Sequence, residues 1–351
     1  MRRKGEFMIC PVCKNEIPDE SLICPICRSR AAEGVQEERV AQVRAKISES
    51  LGASFVSRPF IAMLISLAAF AASGILYTLF ALTKDIGSFI GNGIFYLIPA
   101  IYACLSVVGG YKLYKAASAD TEDIRALERH PKVFGGYQLA YAIIGGIVGV
   151  LLFIAFVMLA SLAGTVGDDA LVAVNEYLHL LGEFGAEEMD AVLGAVSWFL
   201  SVGSIVFAVI TAIVTAVAVF LSVKCVLAYR KLAAYFVMLA DLSLGAKFDK
   251  TKVIPKNWLY FFGVLEIITG IFNLTASPLA AVFSLASGAY LISSAVFLTG
   301  VYAEQSLLED ERDAAETALF EIKAQTNAAL QKAAQEYSQS NETDRTALSE
   351  E

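Results

Sequence analysis

From Pro59 to Leu82 the chain reads PFIAMLISLAAFAASGILYTLFAL, without one charged side chain. In lipid, backbone polar groups are satisfied only inside a helix or a closed barrel, and a helix crosses the hydrocarbon core with about 20 apolar residues. Comparable runs follow at 86–113, 137–164, 197–223, 258–275 and 278–302. The pattern predicts an all-α polytopic membrane protein with six transmembrane helices and the lipid bilayer as its first partner, the membrane domain covering 59–303. Composition agrees, because apolar residues make up 57% and charged residues 18% of the chain, against roughly 25% charged in a soluble domain.

Basic residues set the expected orientation, since loops rich in lysine and arginine stay cytoplasmic. Residues 1–58 hold ten of them, 112–137 five and 224–256 seven, whereas 165–196 hold none. A six-span chain has both termini on one side, and these counts place both in the cytoplasm. The expected location is the plasma membrane of a prokaryote, crossed several times. The 112–137 stretch reads as a polar loop. The 165–196 stretch, with Asp168, Asp169, Glu176, Glu183, Glu187, Glu188 and Asp190, reads as a solvated acidic helix on the outer side, with Leu171, Val174, Leu178 and Leu181 as its apolar stripe.

Chemistry is named most clearly near the amino terminus, in MICPVCKNEIPDESLICPICR. Cys10 and Cys13 form one C-P-x-C pair and Cys24 and Cys27 a second. Two such knuckles supply the four thiolates of a closed tetrahedral zinc site, so one structural zinc ion is the expected cofactor. Lys14, Arg28 and Arg30 stand where they can offset the charge of four thiolates. Ile17, Leu22 and Ile23 offer a minimal core. So short a module depends on its metal to fold, and cytoplasmic placement argues against disulfides. Cys104 and Cys225 lie in or beside apolar runs and read as small buried hydrophobes.

The segment ICPVCKNEIPDESLICPICRSR resembles the small prokaryotic zinc-ribbon family with rubredoxin-type C-P-x-C knuckles. The resemblance covers about 22 residues and implies a zinc ribbon over 8–30 and no particular reaction. Members usually carry glycine after the second and fourth cysteine, where this chain has Lys14 and Arg28. Charge argues against nucleic acid as a ligand: residues 1–58 carry ten basic and eight acidic side chains, without the clustered basic face that phosphate binding needs.

Around these parts the chain divides further. Residues 31–58 read as a cytoplasmic connector helix, with Val40, Val43, Ile47 and Leu51 as one stripe resting on the bilayer surface or on the ribbon. Residues 304–337 read as a cytoplasmic helix continuous with the last span, and 338–351 as a disordered tail. Gly87 with Gly91, and Gly145 with Gly149, have the spacing of close helix packing in lipid. Pro99 is placed to bend the second span.

Glu266 stands inside the 258–275 run. An ionisable side chain at such depth is a functional-site candidate by default, and a protonated carboxyl bridging helices through Asn92 or Asn273 is the competing reading. His130 and His179 are isolated. No Ser-His-Asp set, phosphate loop, H-E-x-x-H or paired-acid constellation is present, so no catalytic residue is assigned. The expected role is interaction or assembly through a protein partner at the cytoplasmic face. A small-solute or ion transporter using Glu266, Asn92 and Asn273 is the alternative.

Overall fold

The computed structural model describes residues 7–10, 12–18, 21–27, 30–84, 86–89, 93–181, 194, 195, 198 and 202–347. Two short strands, β1 (Phe7–Ile9) and β2 (Glu16–Pro18), pair antiparallel with Met8 opposite Ile17. Seven long helices follow: α1 (Ala31–Ser54), α2 (Arg58–Lys84), α3 (Ile94–Ala116), α4 (Thr121–Leu181), α5 (Ser204–Ser243), α6 (Lys256–Asn273) and α7 (Pro278–Ala347).

Five of these are long and apolar enough to cross a membrane: α2, α3, the Thr121–Ser161 part of α4, α5, and α7 over Pro278–Lys332. They mark a membrane protein. The exception among the six expected spans is α6. It has 18 residues, about 27 Å of rise, and Lys256, Asn257, Glu266 and Asn273 dilute its apolar run.

In sequence, 112–137 reads as a polar loop between two apolar runs. Instead, α4 begins at Thr121 and runs back along α3. Ile124, Leu127, His130 and Phe134 recur every three or four residues and are buried, while Arg125 and Lys132 face outward. This is an amphipathic helix whose charges disguise it. Ser106 donates to the Ala126 carbonyl at 2.7 Å, and Phe95, next to the start of α3, packs on Tyr137 and Tyr141. Residues of α4 after Tyr141 therefore extend past the beginning of α3. There they meet α5, with Gly146 on Val219, Gly149 on Thr215 and Phe156 on Phe207. Gly146 joins Gly149 in this contact, whereas nothing comes within 4 Å of a side chain built at Gly145.

Helices α6 and α7 approach through glycine. A Cβ on Gly288 would lie 2.5 Å from the Gly263 carbonyl oxygen, so only hydrogen fits at this crossing. Pro99 lies buried inside α3. Of the Gly87–Gly91 pair, Gly91 lies outside the described residues.

Helix α1 lies antiparallel on α7. Its expected stripe of Val40, Val43, Ile47 and Leu51 is buried against that helix rather than against lipid. Ion pairs along the seam fix the direction: Glu37 to Lys323, Arg44 to Glu316 and Lys46 to Glu311. Phe55, Phe60 and Phe297 pack with centroids 5.1–6.0 Å apart and pin the α1–α2 turn to α7. Helix α7 continues to Ala347, past the point where composition reads as a disordered tail. Its Gln, Glu and Ala residues favour helix.

Candidate metal centre

The first knuckle is built by the backbone around it. After β1, the Cys10 amide donates to the Asn15 carbonyl and the Lys14 amide to the Cys10 carbonyl, both at 2.9 Å. This tight turn brings Cys13 back beside Cys10. It requires Lys14 to take φ 58°, the left-handed conformation that glycine adopts most easily. Glycine at position 14 would take that conformation without the strain a side chain brings.

Strand pairing and the intervening turn then bring the second knuckle onto the first. The Cys10 and Cys27 sulfurs are 3.6 Å apart, those of Cys13 and Cys24 3.7 Å, and all four lie within 4.8 Å of one another. Four sulfurs at 2.3 Å from one tetrahedral ion stand about 3.8 Å apart, whereas a disulfide needs about 2.05 Å. None of the six cysteines is in a disulfide. The cluster can hold one metal ion. Cys10, Cys24 and Ile17 form its buried core, and Leu22 and Ile23 are half-buried rather than central.

The electrostatics fit such an ion. At Cys13 the Asn15 backbone amide favours the thiolate, yet burial and the neighbouring Cys10, Cys27 and Cys24 sulfurs outweigh it and push the thiol up to about 11. Four thiolates do not accumulate at neutral pH without a cation among them. Arg30 is not part of that compensation, since its guanidinium turns to the buried Glu33 at 3.4 Å. Arg28 lies outside the described residues.

The second candidate group is less closely knit. Ser284 of α7 lies beside the Glu266 carboxyl, and Tyr96, Cys225 and Tyr229 are its electrostatic neighbours. Glu266 thus meets α7, and its charge is felt on α3 and α5. Asn273 does not join it, standing seven residues on along α6, about 10 Å of rise. Asn92 lies outside the described residues, as does most of the acidic stretch beyond Leu181. Cys225 is buried and Cys104 half-buried.

His130, isolated in the sequence, has a packed setting in the fold. It is buried among Phe70, Phe134 and Tyr290, with its backbone amide on the Ser106 hydroxyl. The apolar period of Ile124, Leu127 and Phe134 was the signal that would have placed it.

Compared with family models, curated proteins and solved structures, the chain matches none.

Proposed function

We propose that this is a multi-pass membrane protein whose cytoplasmic zinc ribbon is an interaction module, presented to a protein partner at the end of a helical stalk. One observation carries the reading: α1 connects the ribbon directly to the first apolar helix and is clasped along α7. Its 24 residues amount to about 36 Å of rise, which sets the ribbon well away from Phe55 and the start of α2. The ribbon's outward face supports the same reading. Val12 and Ile26, the third residues of the two knuckles, are 68% and 61% exposed, and Ile9 is exposed as well.

The acidic tail helix contributes less to partner binding than its composition suggests. Glu311, Asp313 and Glu316 are engaged by Lys46, Lys247 and Arg44 of the same chain, and Asp310 by Lys250. In this reading α6 is the sixth membrane segment, α4 and α5 reach farther from the stalk than α3, and both termini are cytoplasmic. The basic bias of residues 1–58 and 224–256 supports that side. The ion is zinc, which four thiolates in a reducing compartment favour. A closed shell of four sulfurs leaves no open position for a substrate, so the site is structural.

The test is site-specific photo-crosslinking from position 26 in intact membranes. A discrete adduct that disappears when Cys24→Ser dismantles the ribbon is the expected result. Crosslinking indistinguishable between the two chains contradicts the reading. A second reading, transport of a small solute or ion, is favoured by Glu266, a carboxyl inside an apolar helix with Ser284 of α7 beside it.

A further inference from the structure

Ring and glycine contacts fix the heights of the apolar helices relative to one another. Phe134 of α4 packs on Phe70 of α2, and Gly135 lies against Tyr229 of α5. Tyr290 of α7 joins this layer through His130. Beyond it α2 rises about 18 Å to Leu82, whereas α4 rises about 40 Å to Ser161, at 1.5 Å per residue. Ser277 and Pro278 line one cavity with Phe80 and Lys84, so the α6–α7 turn and the end of α2 share a height. Past that height α4 and α5 pack on each other, Phe156 on Phe207, and Leu151, Met158 and Ile213 are exposed.

On the stalk side of Phe134 the surface differs from one flank to the other. Arg125, Arg129 and Lys132 of α4 and Arg230 of α5 are exposed, while at the same height Ile65 of α2 and Val108 of α3 expose apolar side chains. From Pro59 to the height of Ser161 the apolar surface covers about 57 Å, nearly twice the roughly 30 Å hydrocarbon core. A flat bilayer normal to these helices cannot cover both parts. Set at the height of α2, it buries Arg125, Arg129, Lys132 and Arg230 in hydrocarbon, where charge is costly, and leaves Met158 in water. Set at the height of the outer halves of α4 and α5, it puts Lys84 near its middle and strips lipid from Ile65 and Val108.

We propose that the bilayer bends around this chain, lying nearer the stalk along α2 and α3 and farther from it along α4 and α5, so that the protein generates and senses membrane curvature. The partner is the lipid surface itself. On the α2 flank, Lys84 then ends at the headgroups of the leaflet away from the stalk. On the opposite flank, Lys132, Lys224 and Arg230 stand at the headgroups of the stalk-side leaflet, where anionic lipids attract them. All the apolar helices keep their lipid contact in this arrangement. Bilayers deform to meet apolar surfaces of unlike height at a cost that grows with the mismatch, and a bilayer that is already curved has part of that deformation in place.

Purified full chain is reconstituted into liposomes, freeze-thawed so that a membrane-impermeant maleimide reaches both faces, with the native chain as background for its own cysteines. Lys132→Cys is expected to be labelled and Ile65→Cys and Met158→Cys to be protected, although Ile65 and Lys132 share a height. Labelling of Met158→Cys, or protection of Lys132→Cys, means a flat bilayer at the height of α2. Labelling of Ile65→Cys means a flat bilayer at the height of the outer halves of α4 and α5. Each of these overturns the proposal. Partition of the native chain between vesicles about 50 nm and about 400 nm across separates bending from a steep tilt. Several-fold more protein per unit of lipid area in the small vesicles is the expected result, and equal density means a tilted chain in a flat bilayer and overturns the proposal as well.

Discussion

Arg312 and Glu309 stand one turn apart on α7 with charged atoms 3.7 Å apart, and both side chains are buried. The same guanidinium donates to the Ala246 and Gly245 carbonyls at 3.0 and 3.3 Å. Those carbonyls are turned toward it by the left-handed φ of +88° at Gly245. Arg312 thus ties the stalk to the connection between α5 and α6. Removing one partner of a buried pair leaves the other charge uncompensated, which costs about 3–5 kcal/mol. Arg312→Ala is expected to loosen the stalk by that order, seen as faster amide hydrogen exchange along α1 and α7. Unchanged exchange would show that the tie contributes nothing.

Glu316 extends the clasp, accepting from Arg312 at 3.0 Å and pairing with Arg44 and Lys247 at 3.1 Å each. Burial works against its carboxylate, but these three cations outweigh burial and bring it from the ordinary 4.5 down to about 2. The unfolded chain therefore binds the proton more readily. The stabilisation is fully present above the ordinary carboxylate value and is lost as pH falls from 4.5 toward about 2. Glu316→Gln is expected to remove that part of the acid dependence and to cost about 1 kcal/mol at neutral pH. An acid titration of stalk unfolding, comparing the two chains, reads both effects.

Gly288 makes a sharper steric prediction. A Cβ there meets backbone oxygen at 2.5 Å, and backbone cannot rotate away as a side chain can. Gly288→Ala is expected to separate α6 from α7 and to cost about 1–3 kcal/mol, measured as a lower melting temperature in detergent. Gly300→Ala serves as the control, because nothing lies within 4 Å of its built Cβ.

Lys14→Gly is expected to act in the opposite direction. A left-handed residue with a side chain bears about 1–2 kcal/mol of strain, so glycine at position 14 should bind the ribbon's metal more tightly, by up to about tenfold in a competition titration with a chelator. Weaker binding would mean that the lysine charge matters more to the cluster than its backbone strain.

How much of this was readable in the sequence depends on whether the signal was local. Cys10, Cys13, Cys24 and Cys27 state their chemistry through spacing alone, and the apolar helices announce themselves by composition. The helix at 121–137 did not, because Arg125, Glu128, Arg129 and Lys132 give a polar average that hides the three-to-four-residue period of Ile124, Leu127 and Phe134. The partner of the Val40–Leu51 stripe was equally out of reach, since α7 is over 250 positions away in sequence, as the Arg44–Glu316 bond shows. Ser287 and Ser294 are ordinary residues in an apolar run until the structure sets them beside Tyr229 and Tyr290. Glu266 was visible at once, but its neighbours Ser284 and Tyr229 come from other helices and no spacing rule names them.

The metal centre is the claim on which the stalk's purpose depends, and metal analysis of the purified full chain tests it most directly. The account predicts one zinc per chain, released together with protons when a chelator withdraws it, and lost in Cys24→Ser while the apolar helices stay folded. A preparation with its cysteines reduced and intact that holds well under one zinc for every two chains would contradict it.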